Sequence, residues 1–242
     1  MLAKMLAFLH WKRHTVSANL LFCGLGSPHL LYPKILAAIA RELSVFLFNQ
    51  TPQQRIAPQA EQLLPELRRG GLLLTAHYGN WERMGSWMLS LGIPLVASSL
   101  PMKNALADAV LIRLRRRNGD YAKNLFQNPF QIRKLIADGH LFTLLADQDY
   151  RNRHAVRSRF FGKSVNCSPL PKVIQHLFPE CPAFFAWTWR DSSGTLVLEC
   201  KKLTGDLYAA YHQAIEDVIR LDPSQWIGAT HRRFYSTSPK IY

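Results

Sequence analysis

The stretch LLLTAHYGNWERMGSWMLSLG, residues 72–92, decides the fold of this chain. Its first five residues form a short apolar run, which predicts a strand buried on both faces. Asn80 is a favourable N-cap, Glu82 puts a negative charge in the first turn of the next helix, and Gly92 closes that helix. The segment therefore predicts a buried strand, a tight turn and a helix.

His77 and Glu82 flank this turn, and enzymes built on open parallel sheets carry their reactive side chains at such places. A neutral histidine can take a proton from a hydroxyl, and a nearby carboxylate can fix its tautomer and stabilise the imidazolium that forms. A bend at Tyr78-Gly79 can fold the two side chains together, which would make Glu82 the partner of His77. Alternatively, His77 only ends a strand and Glu82 only favours the helix dipole.

The length and net charge of the chain limit its number of domains and the kind of partner it binds. A chain of 242 residues with 48% hydrophobic residues is long enough for one medium domain with a full core. Thirty Lys and Arg against sixteen Asp and Glu give a net charge of +14, so we expect an anionic partner. Nucleic acid, a phospholipid surface, a phosphorylated substrate and an acidic protein all fit that sign.

The cysteine pattern and the hydropathy of the chain indicate in which cellular compartment it works. The four cysteines are scattered, with no CxxC pair, which indicates reduced thiols and a catalytic face exposed to the cytosol. Residues 1–9 are apolar but too short to span a bilayer, and we expect no transmembrane helix in this chain.

The order of elements predicts the architecture. Residues 1–50 read as a helical region, in which residues 30–48 form an amphipathic helix that either packs on the domain or lies in a membrane interface. Packing is slightly favoured. In residues 51–242, strands at 72–76, 93–98, 141–146, 183–189 and 195–200 are interspersed with helices. This pattern predicts one compact α/β domain with a mostly parallel central sheet flanked by helices.

Two basic segments carry further chemistry. Four arginines, Arg113, Arg115, Arg116 and Arg117, crowd one predicted helix end, as a clamp for phosphate or carboxylate or as a solvated terminus. Residues 150–179 contain no acidic residue. They are predicted to begin as a basic loop containing Phe160 and Phe161, suited to nucleic acid or to the entrance of a lipid site, and to continue into a helix at residues 169–178.

Further polar residues border the second basic segment. Asp147 and Asp149 precede it and can pair with its arginines; a metal role lacks a third ligand. The C-terminal block at residues 225–234 joins an aromatic residue, a histidine and two arginines, and by itself it reads as a solvated basic face.

Taken in order, these blocks resemble the late, lauroyl/myristoyl-type acyltransferases of lipid A biosynthesis, within the lysophospholipid acyltransferase superfamily. The resemblance runs from about Arg13 to Phe234. It rests on His77 followed after four residues by Glu82, on the arginines before residues 118–119, on Asp147-Gln148-Asp149, and on the C-terminal His-Arg-Arg-Phe at residues 231–234. It implies a fold like that of glycerolipid acyltransferases.

The resemblance also implies a reaction. A fatty acyl chain passes from an acyl carrier protein thioester to a hydroxyl of an acylated, phosphorylated glucosamine disaccharide, without a metal or organic cofactor. The expected catalytic residues are His77, as general base, and Glu82, as its orienting partner. The expected substrate-binding residues are Asn80, Arg115, Arg117, Asp147, Asp149 and Arg232.

The same resemblance implies the cytoplasmic face of the bacterial inner membrane as the place of action. Family members usually begin with a membrane-spanning helix, so we expect either a missing N-terminal anchor or peripheral attachment through residues 30–48 and the basic surface. Other acceptors, such as a lysophospholipid or another glycolipid, remain open. A nucleic-acid-binding module is the competing reading from another class, although we expect no specific nucleic acid partner.

Overall fold

The computed structural model describes residues 10–98, 104–117, 119, 122–123 and 128–242, and within them it is an α/β protein. The predicted helical start at residues 1–9, the start of the predicted helix at residue 103 and Asn118 of the arginine block lie outside the described residues. The helices are α1 (Arg13–Phe22), α2 (Pro28–Leu47), α3 (Pro58–Leu67), α4 (Trp81–Ser90), α5 (Ala105–Arg116), α6 (Pro129–Ala137), α7 (Leu170–Leu177) and α8 (Leu207–Leu221). The strands are β1 (Gln54–Ile56), β2 (Gly71–Thr75), β3 (Leu95–Ser98), β4 (Ala122–Lys123), β5 (Leu141–Leu145), β6 (Val156–Phe160), β7 (Lys163–Cys167), β8 (Ala183–Arg190) and β9 (Leu196–Leu203).

The central sheet has the strand order β1-β9-β8-β2-β5-β3-β4. Strand β2 pairs in parallel with β5 and β8, β5 pairs in parallel with β3, and β3 pairs in parallel with β4. Only the pairing of β8 with β9 is antiparallel within this described sheet. The expectation of a mostly parallel sheet flanked by helices is confirmed.

Strand β2 lies at the centre of the sheet and is buried along its whole length. Leu72 and Leu74 pack into the core under α8, whereas Leu73 packs into the core on the other side with Met84 and Met88 of α4. A strand covered on both faces has no polar face, which explains its continuous apolar run. The turn after β2 is therefore held on a rigid element.

The two N-terminal helices belong to the same core. Val16 and Leu20 of α1 and Ile35 and Leu36 of α2 are fully buried in the cluster that α8 covers. The apolar side of α2 thus packs on the domain. Among the described residues, no helix has both the length and the apolar character needed to cross a bilayer.

The basic segment after Asp149 differs from its expected form as a loop. Strands β6 and β7 form an antiparallel hairpin there, closed by Phe161 and Gly162. Both turn residues have positive φ, 50° and 70°, which is the backbone that a tight two-residue hairpin turn requires. The prediction of a loop was wrong. Arg157 and Arg159 are the exposed positions of β6, and they alternate with residues that face inward.

Candidate active site

The turn that carries His77 is tightly fixed. Gly79 adopts φ 56°, and a Cβ there would lie 1.8 Å from the carbonyl oxygen of Thr188, so no larger residue fits. The Asn80 side chain accepts a hydrogen bond of 2.8 Å from the backbone N–H of Arg83 and caps α4 as predicted. The strand, turn and helix of the opening stretch are confirmed.

His77 is paired with Asp147. Its Nδ1 lies 2.8 Å from Asp147 Oδ1, and its backbone N–H donates to Oδ2 over 2.9 Å. The register explains the contact: Thr75 at the end of β2 is aligned with Leu145 at the end of β5, so the residues two positions further on lie side by side. Parallel strands end at the same edge of a sheet, which brings residues 70 positions apart together.

Glu82 was expected to be the carboxylate beside His77, but in the structure it contacts a different residue. Glu82 lies in the first turn of α4, and its carboxylate binds the Arg115 guanidinium of α5, with Nε–Oε2 2.9 Å and Nη2–Oε1 2.5 Å. Both side chains are mostly buried, and this two-pronged contact fixes the guanidinium plane. The carboxylate beside the imidazole is that of Asp147, which had been expected to bind substrate.

The pairing determines the tautomer of His77. Burial alone would raise the pKa of Asp147, but the charge of His77 and two hydrogen bonds from that residue outweigh burial and lower the pKa. The ionised carboxylate can only accept, so Nδ1 of the neutral ring carries the hydrogen and Nε2 is left as a base. The Gln148 amide nitrogen lies 3.4 Å from this Nε2.

Two aromatic rings flank the imidazole. The Trp81 ring centroid lies 4.8 Å from that of His77 in an edge arrangement, and the His231 centroid lies 4.7 Å away. The predictions left His231 without a role, because its contact with His77 comes from folding of the C-terminal block. Gly228 of this block donates its N–H to the His77 carbonyl oxygen over 2.7 Å.

An apolar cavity of about 460 Å³ adjoins the pair. Trp81 and Gln148, which both contact His77, line it together with Glu82 and Arg115. Its apolar wall comes from α4, α5, α7 and the ends of β3 and β5, through Met84, Leu95, Leu111, Leu144 and Leu170. Its size is within the range of ligand pockets.

The remaining predicted site residues lie in different settings. Asn80 is buried and donates from its side chain to Glu42 over 2.8 Å. Asp149 lines the cavity and accepts from Ser236 and Arg151.

The arginines of the predicted site are exposed, whereas a neighbouring arginine is buried. Arg117 is exposed just after α5. Arg232 is exposed and its guanidinium lies over the Tyr235 ring. Its neighbour Arg233 is the fully buried one and donates to the Gln148 and Asn166 carbonyls, which supports the Asp147 loop.

The structure thus joins an α/β sheet, a histidine whose Nε2 can accept a hydrogen bond, and an adjoining apolar cavity. Residues 60–236 match the family model described as bacterial lipid A biosynthesis acyltransferase, and the chain belongs to this family. It is an acyltransferase. Comparison with curated proteins gave no match. Within the described ranges, no group of three or more His, Cys, Asp or Glu side chains is placed to hold a metal ion.

Proposed function

We propose that this acyltransferase moves a fatty acyl chain from an acyl carrier protein thioester to a hydroxyl of a lipid A precursor, with His77 as general base. The observation that carries the proposal is the His77–Asp147 contact of 2.8 Å beside an apolar cavity. Membership of the lipid A acyltransferase family supports the acceptor class.

The contact of Nδ1 with Asp147 leaves Nε2 of His77 facing the reaction. Nε2 takes the proton of the acceptor hydroxyl as the oxygen attacks the thioester carbonyl carbon. The carbon–sulfur bond then breaks, and the imidazolium returns the proton to the leaving thiolate. Asp147 stabilises the imidazolium between these two steps. General base catalysis of this kind contributes roughly 10²- to 10⁴-fold in rate.

Glu82 has a different part in the proposed mechanism from the one expected from sequence. It holds the Arg115 guanidinium on the wall of the cavity, where the cation binds substrate phosphate or the oxygen that becomes negative during acyl transfer. Arg117, exposed one residue beyond α5, adds positive charge for the same anionic substrates. Asp149, on the cavity wall, and Arg232, an exposed residue of the otherwise largely buried C-terminal block, are the proposed contacts to the polar part of the acceptor.

The cavity and the surface charge support the donor. The apolar wall suits a fatty acyl chain, and a volume of about 460 Å³ is large enough for a ligand of that class. Exposed Arg113 and Arg116 at the end of α5, and Arg151 and Arg153 before β6, offer positive charge to an acidic carrier protein.

The N-terminal helices support peripheral attachment to the cytoplasmic face of the inner membrane. Leu21 of α1, Leu30 of α2 and Phe48 just after α2 expose 61–73% of their surface, and Lys34 and Arg41 are exposed on α2. Apolar side chains beside cations bind the interface of a membrane that contains anionic lipids.

The experiment combines two substrates with point variants. Purified protein receives labelled acyl carrier protein and a phosphorylated lipid A precursor, and label in the lipid is measured. His77→Ala removes the base and should abolish transfer while the thermal midpoint stays close to that of the wild type. Undiminished transfer by His77→Ala contradicts the mechanism. Label on an added lysophospholipid, but not on the lipid A precursor, reassigns the acceptor.

A further inference from the structure

The His77 imidazole contacts His231 in addition to Asp147, Gln148 and Trp81. The centroid of the His231 ring is 4.7 Å from that of His77, with a tilt of 55°. The backbone around it is held at both ends: its N–H donates to Gly228 over 3.0 Å, and its carbonyl accepts from the Asn19 side chain over 2.7 Å. The backbone that carries the ring is therefore fixed next to His77, although it comes from a distant part of the chain.

Among the residues that the structure describes, none forms a hydrogen bond with the His231 ring, which packs against the His77 ring. The residue is half-buried rather than enclosed. A buried or half-buried polar group of this kind normally finds a partner. A ring with unused nitrogens beside a catalytic base is thus available to a bound substrate.

The charge state of this ring is also defined. Burial first, and then the neighbouring charge of His77, lower the pKa of His231 to about 4. The ring is therefore neutral at physiological pH, with one N–H donor and one acceptor nitrogen. A neutral neighbour does not oppose protonation of His77, as an imidazolium would.

We propose that His231 is a further catalytic residue, which donates its ring N–H to the thioester carbonyl oxygen as that oxygen gains negative charge. This inference rests on the proposed function, because it needs the reacting carbonyl to lie beside His77. His77 supplies the base, so the other chemical need next to it is a donor for the oxyanion, which His231 meets alone or together with Arg115. Preorganised donors of this kind in a site with little water are among the largest contributions to acyl transfer.

The balance of the step is unchanged by His231. The hydroxyl oxygen forms the new bond to the carbonyl carbon, and its proton goes to His77. The electron pair of the carbonyl double bond moves onto the oxygen that His231 contacts, and it returns when the carbon–sulfur bond breaks. His231 keeps its proton throughout and makes its hydrogen bond stronger in the transition state than in the bound substrate.

The test compares two substitutions that differ in the donor. His231→Phe keeps a ring against His77 but has no N–H, whereas His231→Gln keeps an N–H donor without the ring. We expect kcat of His231→Phe to fall about 10²- to 10³-fold, with KM for both substrates nearly unchanged, and His231→Gln to retain distinctly more activity. His176→Phe, at an exposed position of α7, is the matched control with wild-type turnover.

A second pair of variants separates the loss of the donor from a folding defect. His231→Asn and His231→Leu are similar in size and differ in the donor, and circular dichroism melts establish that each variant is folded before kcat is compared. Equal losses within both pairs, or near-wild-type kcat in His231→Phe, overturn the inference. If His77→Ala is inactive while His231→Phe is fully active, only this inference fails; activity in His77→Ala would instead refute the proposed function.

Discussion

Asp147→Asn separates the role of this carboxylate from its contribution to packing. The variant has nearly the same shape, but its side chain presents one oxygen and one NH₂ group where the wild type presents two oxygens. The backbone N–H of His77, 2.9 Å from Oδ2, is always a donor and requires the amide oxygen opposite it. The NH₂ group must then face His77 Nδ1, at 2.8 Å in the wild type.

This orientation reverses the tautomer of the imidazole. An NH₂ group that donates to Nδ1 forces the hydrogen onto Nε2, so the nitrogen that should take the hydroxyl proton is no longer a base. The rate lost is that of general base catalysis, about 10²- to 10⁴-fold in kcat, which corresponds to about 3 to 5 kcal/mol of transition-state stabilisation. KM should change little, because Asp147 is buried behind His77.

The assay is steady-state acyl transfer, measured together with thermal unfolding. Asp217→Asn makes the same chemical change on the exposed face of α8, where the carboxylate only accepts from Gln213, and it should leave kcat unaltered. A folded Asp147→Asn enzyme with kcat within a few-fold of the wild type would refute the tautomer reasoning.

Three further substitutions test the supports of the site. Gly228→Ala places a Cβ 2.7 Å from Asp147 Oδ2, so we expect a large loss of kcat and about 1–3 kcal/mol of stability, checked by transfer assays and urea unfolding. Gly79→Ala overlaps a backbone carbonyl and should cost about 3 kcal/mol or more by the same unfolding measurement; a cost below about 1 kcal/mol would contradict it. Glu42→Ala leaves Arg190 buried without its carboxylate and should cost about 3–5 kcal/mol, and an unchanged unfolding midpoint would contradict this. Burial raises the pKa of Glu42, but hydrogen bonds from Arg190 and Arg41 outweigh burial and lower the pKa. The stabilisation by Glu42 is therefore present at neutral pH and is lost as the pH falls through the folded-state pKa. In acid, the wild type should lose more stability than Glu42→Gln does.

Local signals were sufficient to predict the element that carries His77. The apolar run of β2, the Asn80 cap and the small residues of the turn are interactions between neighbours in the chain, and they predicted strand, turn and helix with errors of one or two residues at the ends. The hairpin of β6 and β7 was missed because an inward-facing position of β6 is the polar Ser158, which contacts His212, so the sequence lacks a regular apolar–polar alternation.

The order of residues along the chain was enough to predict an α/β domain, an acyltransferase family and a histidine at the end of a buried strand. The groups that surround this histidine became known from the folded chain. Asp147 reaches it through the parallel register of β2 and β5, and His231 reaches it through packing of the C-terminal block, whereas Glu82 is turned towards Arg115 on α5. Contacts across a sheet depend on strand order and register, and these are set by the burial of whole elements rather than by the spacing of residues along the chain.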